Sequence, residues 1–132
     1  MNLEQLYDAV GGDYQEMFNR IPSAALIEKF VRKYPTDPTV STLETAVETA
    51  DWETAFRMAH TLKGVAQNLG FQRLYTAAYA LTEQLRGNQP LTDRTHLEEV
   101  RKAHQTILNA VAQLPYPHHK QRPDSGLQTS NQ

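Results

Sequence analysis

Residues 59–70 read Ala59-His60-Thr61-Leu62-Lys63-Gly64-Val65-Ala66-Gln67-Asn68-Leu69-Gly70. Ala59, Leu62, Ala66 and Leu69 recur at steps of three and four, the period of one face of an α-helix. The stripe extends upstream through Trp52, Ala55 and Phe56 to Asp51, which stands where an N-cap is needed. Gly70 follows the last stripe residue and is free to adopt the positive φ of a helix C-terminus. At about 100° per residue, His60 lies about 120° from the centre of the stripe, on the flank of the helix with one ring nitrogen toward water. Lys63 and Gly64 follow it at i+3 and i+4 and so share its face.

The same period continues in both directions. Downstream, Leu74, Ala78, Leu81 and Leu85 stripe a helix that ends at Gly87, and Thr92 or Asp93 caps a last one carrying Leu97, Val100, Ile107, Leu108, Val111 and Leu114. Upstream, Asp37-Pro38 reads as an N-cap and first helical residue ahead of Val40, Leu43, Val47 and Ala50. Pro22-Ser23 opens a segment with Leu26, Ile27, Phe30, Val31 and Tyr34 on one face, and Pro35 stops it. Closer to the N-terminus, Leu3, Leu6, Tyr7, Val10, Tyr14, Met17, Phe18 and Ile21 keep helical spacing across a break at Gly11-Gly12, after which Asp13 and Glu16 have the capping-box interval. Leu and Ala contribute 14 residues each against 7 Val and 3 Ile, and no stretch alternates with period two for the length of a strand. The expected fold is all-α, with roughly six helices: an antiparallel four-helix bundle with additional short N-terminal helices, over residues 1–114. Residues 115–132, PYPHHKQRPDSGLQTSNQ, hold three prolines and few apolar side chains, and read as a disordered tail or linker.

Composition narrows the function. The 132 residues suit one domain, and a net charge of −2 argues against broad capture of nucleic acid. No apolar run approaches the ~20 residues of a membrane span, and the first residues lack the basic and apolar regions of a secretion signal. With no Cys there is neither a disulfide nor a thiolate site. A cytoplasmic, monomeric protein is the expectation, and a first helix directly after Met1 suggests a freestanding protein or an N-terminal domain. His104 shares a face with Val100, Ile107, Leu108 and Val111, as a core-boundary histidine would. His96 lies eight residues before it, too far for an i, i+4 metal pair, and His118-His119 falls in the tail. Neither HExxH, nor the ExxH pairs of di-iron bundles, nor a P-loop, nor GxSxG occurs, which argues against a metalloenzyme or hydrolase.

Gly64 is the unexpected residue. Glycine within a helix costs about 1 kcal/mol relative to alanine, so its presence beside His60 calls for a benefit. Clearance is one: with no Cβ next to the imidazole, another backbone can come close. Relief of crowding between helices is the other. Lys63 adds a positive charge with three donors, suited to an oxygen-rich anion near the ring. An accessible imidazole, a cation and a cleared approach together suit phosphoryl chemistry on a histidine. Phe56, one turn before His60, is the candidate for an apolar contact with a partner, although full burial is its simplest reading. Phe18, Phe30, Trp52 and the tyrosines read as core.

AHTLKGVAQNLG, followed by LYTAAYALTEQLRG, resembles the core of histidine-containing phosphotransfer (HPt) domains, whose pattern His-x-Leu-Lys-Gly with a later Leu-Gly is matched by His60, Leu62, Lys63, Gly64, Leu69 and Gly70. The resemblance implies a four-helix bundle with His60 projecting from mid-helix. It implies that His60 Nε2 accepts a phosphoryl group from a receiver-domain phospho-aspartate and passes it to another receiver's aspartate in two-component signalling. Lys63 would compensate charge, no internal base would be needed, and the domain would have no ATP site or cofactor of its own, with Mg²⁺ on the partner receiver. Val65 and Gln67 are larger than the residues many members carry there, and Gln67, about one turn past Lys63, is placed to touch a partner or the phosphoryl group. Some relatives steady the imidazole Nδ1 from the next helix. The matching position is Thr82, or Glu83 or Gln84 in a shifted register. Arg86 falls where some relatives hold a basic residue toward the partner. A rival reading from another class is a binding-only helical module that docks receivers without carrying phosphate.

Overall fold

A computed structural model describes residues 1–115, so the tail or linker expected at 115–132 lies almost entirely outside the described residues. Seven α-helices occur among the described residues: α1 (Leu3–Ala9), α2 (Tyr14–Arg20), α3 (Ala24–Lys33), α4 (Thr39–Glu48), α5 (Trp52–Leu69), α6 (Gln72–Leu85) and α7 (Thr95–Ala112), with one 3-10 turn at Tyr34–Thr36. No strand occurs among these residues, and the all-α expectation holds. None of the helices described is long and apolar enough to cross a membrane.

The helix starts follow from their caps. The side chains of Asn2, Asp13, Ser23 and Asp51 each accept a backbone N–H from the first turn of α1, α2, α3 and α5. Asp37 accepts from the N–H and hydroxyl of Thr39, at 2.8 and 2.6 Å, and α4 begins one residue later than the proline pattern suggested. Asp93 makes the same pair of bonds with Thr95 at the start of α7. The capping box expected at Asp13 is only half made, since the Glu16 carboxylate turns instead to Arg20 at 2.6 Å.

Helices α4 to α7 form the bundle, with each consecutive pair packed together. The run of the chain between α5 and α6 is visible in two contacts. Phe56 on α5 meets Arg86 at the end of α6, and Lys63, two turns further along α5, meets Tyr79, two turns back along α6. That is an antiparallel register. Glu44 of α4 and Arg101 of α7, 2.9 Å apart, join the first and last helices across the surface. Leu43, Leu62, Leu74, Leu81, Val100 and Ile107 fill the centre and are essentially inaccessible, each contributing about 1.5–3 kcal/mol by leaving water. The buried stripe of α5 is mostly small: Ala55, Ala59 and Ala66 with Leu62. Small side chains let α4 and α6 approach closely, while Trp52, Phe56 and Leu69 at the stripe's margins remain only partly buried.

The N-terminal helices close one end of this bundle by satisfying the end of α5. The last carbonyls of a helix have no partner within it. Here the Tyr7 hydroxyl donates to Leu69 O at 2.6 Å, Arg20 donates to Gln67 O and Asn68 O at 3.2 Å each, and Asp13 N–H donates to Gly70 O at 3.0 Å. Arg20 also places a positive charge at the negative end of the helix dipole. Gly70, at φ +71°, makes the left-handed turn expected of it. Tyr7 and Phe71 pack with ring centroids 5.6 Å apart beneath this turn, and burial pushes the Tyr7 phenol well above its ordinary range.

Candidate functional site

Because the alanine stripe faces inward, the opposite side of α5 faces out. His60 is exposed there, with Lys63 and Gly64 partly covered and Gln67 exposed one turn further on. An added Cβ at Gly64 would meet no atom of the described residues within 4 Å. Relief of crowding between helices therefore does not explain this glycine. The space above it is open to whatever approaches from outside.

Phe56 is half-buried, which corrects the reading of full burial. Its ring stacks on the His60 imidazole, with centroids 6.3 Å apart and planes 25° from parallel. Arg86, reaching over from α6, sets its guanidinium 5.4 Å from the centre of the same phenyl ring. Arg86 is held in turn by Glu83, with Nε to Oε1 at 3.2 Å and an Nη to Oε2 at 2.6 Å. The Arg86 hydrogen bonds, with the charges of Arg86 and Lys63, keep the Glu83 carboxyl below the usual carboxylate range, and Glu83 raises Arg86 in return. Both side chains are about half exposed, at 44% and 55%, so the pair serves mainly to set geometry.

Lys63 does not lie free beside the imidazole. Its Nζ sits 5.3 Å from the centre of the Tyr79 ring, a cation–π arrangement across to α6. Tyr79 is 48% exposed and touches Tyr75 at 6.1 Å. The core reading holds for Tyr7 and Tyr34 but is corrected for Tyr79, as it is for Phe30, which is 36% exposed on α3. Tyr79 was missed as a member of the site. The signal for it was present: Tyr75, Tyr79, Glu83 and Arg86 recur at steps of four, four and three along the flank of α6, just off its buried stripe.

Thr82 also needs correction. It is fully buried, and its hydroxyl donates to Ala78 O at 2.7 Å within its own helix, so it does not steady the imidazole. A threonine can enter a helical core because this bond to the preceding turn satisfies its hydroxyl. The shifted-register alternatives are also engaged elsewhere, since Glu83 holds Arg86 and Gln84 Nε2 donates to Asp93 O at 2.8 Å. Among the described residues, the histidine rings with hydrogen-bond partners are His104, whose Nδ1 meets the Tyr34 hydroxyl at 2.7 Å, and His96, beside Glu99. Among these residues no group of three or more His, Asp or Glu side chains is arranged to hold a metal ion.

The structure thus gathers His60, Phe56, Lys63, Gly64 and Arg86, with Tyr79, on one α5–α6 face. Gln67 continues the α5 side of that face, and Thr82 lies beneath it. In comparisons with known proteins, the family model described as Hpt domain matches residues 25–113, which spans this face and all four bundle helices. No curated protein and no solved structure matches.

Proposed function

The chain belongs to the Hpt domain family, phosphotransfer intermediates that work with receiver domains in two-component phosphorelays, and from that premise we propose that His60 is the phosphoacceptor. The Nε2 lone pair attacks the phosphorus of a receiver phospho-aspartate. An N–P bond forms, the acyl P–O bond breaks, and the aspartate carboxylate leaves with the electron pair. The Nδ1–H proton of the resulting phospho-imidazolium is released to water. The reverse chemistry delivers the phosphoryl group to a second receiver's aspartate. Transfer of this kind depends on alignment and on compensating charge more than on covalent activation. Lys63 supplies a nearby cation, Mg²⁺ belongs to the receiver, and the domain draws no phosphate from ATP itself. Residues 1–114 act as the phosphotransfer unit.

What supports the reading most is the exposed His60 beside the open space over Gly64, inside the region matched by the family model. The surroundings suit a docking face, with the exposed ring of Tyr79 bordered by Lys63 and Arg86. Incubation with a phosphorylated receiver, followed by detection of an acid-labile, base-stable phosphohistidine, tests it. Labelling is expected to disappear in His60→Gln. Unchanged labelling of that variant overturns the assignment, and docking without any labelling of the native protein favours a binding-only module.

A further inference from the structure

We propose that the orientation of the His60 imidazole is set by stacking on Phe56, which Arg86 and Glu83 brace from α6, and not by a hydrogen bond to Nδ1. This rests on His60 being the phosphoacceptor. A ring that must aim Nε2 along the line of an incoming phosphorus has to be held against rotation about its own side-chain bonds. The usual restraint is a hydrogen bond at the other ring nitrogen. None of the side chains that the sequence offered makes that bond among the described residues: the Thr82 hydroxyl donates to Ala78 O, Glu83 accepts from Arg86, and Gln84 donates through Nε2 to Asp93 O while its Oε1 is buried without a partner.

Phe56 is the ring partner that His60 does have, at 6.3 Å and 25°, within the range of offset stacking. Helix geometry brings this about. Cα–Cβ bonds tilt toward the helix N-terminus, so a side chain leans over the turn before its own Cα. His60 therefore leans toward Phe56, four residues back, and away from Gly64, four residues ahead. Phe56 is restrained in turn, because the planar Arg86 guanidinium lies 5.4 Å from its centre and is fixed by two hydrogen bonds to Glu83. A line of contacts thus crosses from Glu83 and Arg86 on α6 to Phe56 and His60 on α5. The imidazole is backed on one side and open over Gly64 on the other. Its Nδ1 stays free to pass a proton to water.

Phe56→Leu keeps an apolar side chain and removes the ring. Proton and nitrogen NMR of the histidine side chains should show the His60 ring protons losing the ring-current shift that Phe56 imposes. Phe56→Tyr should restore it, and Arg86→Lys, which keeps the charge without the plane, should give an intermediate shift. With a phosphorylated receiver at saturation, Phe56→Leu is expected to lower kcat about three- to tenfold with KM within about twofold, and Phe56→Tyr to recover it. Ring shifts that do not move in Phe56→Leu overturn the proposal, as does a loss confined to KM, which would make Phe56 a docking residue. A thermal melt of each variant separates these results from unfolding, and Arg86→Lys carries the test if Phe56→Leu does not fold, with an unmoved His60 shift in that variant overturning the bracing. The NMR readout needs no phosphate, so retained labelling of His60→Gln would refute the phosphoacceptor reading without touching the stacking result.

Discussion

Two glycines, Gly12 and Gly64, mark opposite conditions along the same long helix. At the C-terminal end of α5, an added Cβ on Gly12 would lie 2.8 Å from Gly70 O and 2.8 Å from Tyr7 Cδ2. In the middle of α5, one on Gly64 would meet no atom of the described residues within 4 Å. The first is a joint where chain meets chain, with the carbonyls of residues 67–70 taken up by Tyr7, Asp13 and Arg20. The second is a vacancy on the surface beside a histidine. Glycine is tolerated at the joint because nothing larger fits. At the vacancy no contact among the described residues offsets its cost to the helix. The joint also lies partly outside the family match, which begins at residue 25 after α1 and α2. The N-terminal helices thus hold the end of α5 and leave its His60 face clear.

The largest effect is expected at Gly12. Gly12→Ala should lower unfolding stability by about 1–3 kcal/mol, read from urea denaturation, because backbone and a buried ring must both move. A near-neutral result would mean the joint is looser than its distances indicate. Tyr7→Phe should cost about 1–2 kcal/mol in the same assay by leaving Leu69 O without its donor, while phosphoryl acceptance by His60 persists. Gly64→Ala should behave in the opposite sense, stabilising the fold by about 0.5–1 kcal/mol through helix propensity while slowing transfer from a receiver. Destabilisation by Gly64→Ala would show that the space above it is not open.

Two histidines differ in the same way as the two glycines: His60 is exposed and His104 is half-buried. Burial holds His104 below its ordinary value, against the opposing pull of Glu44 and Asp37. The unfolded chain therefore takes up this proton first as pH falls. The stability tied to the neutral ring is present above about pH 6.5 and is lost as pH drops below it. Urea midpoints of the native protein should fall over that range more than those of His104→Leu. Equal slopes would remove His104 as the cause.

Much of α5 was legible from its residues. Asp51 and Gly70 mark its ends because capping is a local event, and the three- and four-residue spacing of Ala55, Ala59, Leu62 and Ala66 turns His60 outward whatever surrounds it. The same logic failed on α6 by one residue. Thr82 looks polar and therefore outward, yet its hydroxyl is satisfied by Ala78 O and it packs inside, so Glu83 takes the outer position. Tyr79 and Phe30 look apolar and therefore buried, yet they stand on the surface. Hydrophobicity assigns a face only when the stripe is clear, and aromatic rings at its margin can fall either way.

The residues alone show that this protein is helical, that α5 runs between Asp51 and Gly70, and that His60, Lys63 and Gly64 share a face. Those properties depend on contacts within a few residues of chain. It takes the packed helices to show that Lys63 lies on Tyr79, that Arg86 sits over the Phe56 ring beside His60, and that Tyr7 and Arg20 close the end of α5 from 62 and 47 residues away. Periodicity fixes the angle of a side chain about its own helix axis. It carries no information on which neighbouring helix fills that direction, or at what height, and that is settled only when the alanine faces pack.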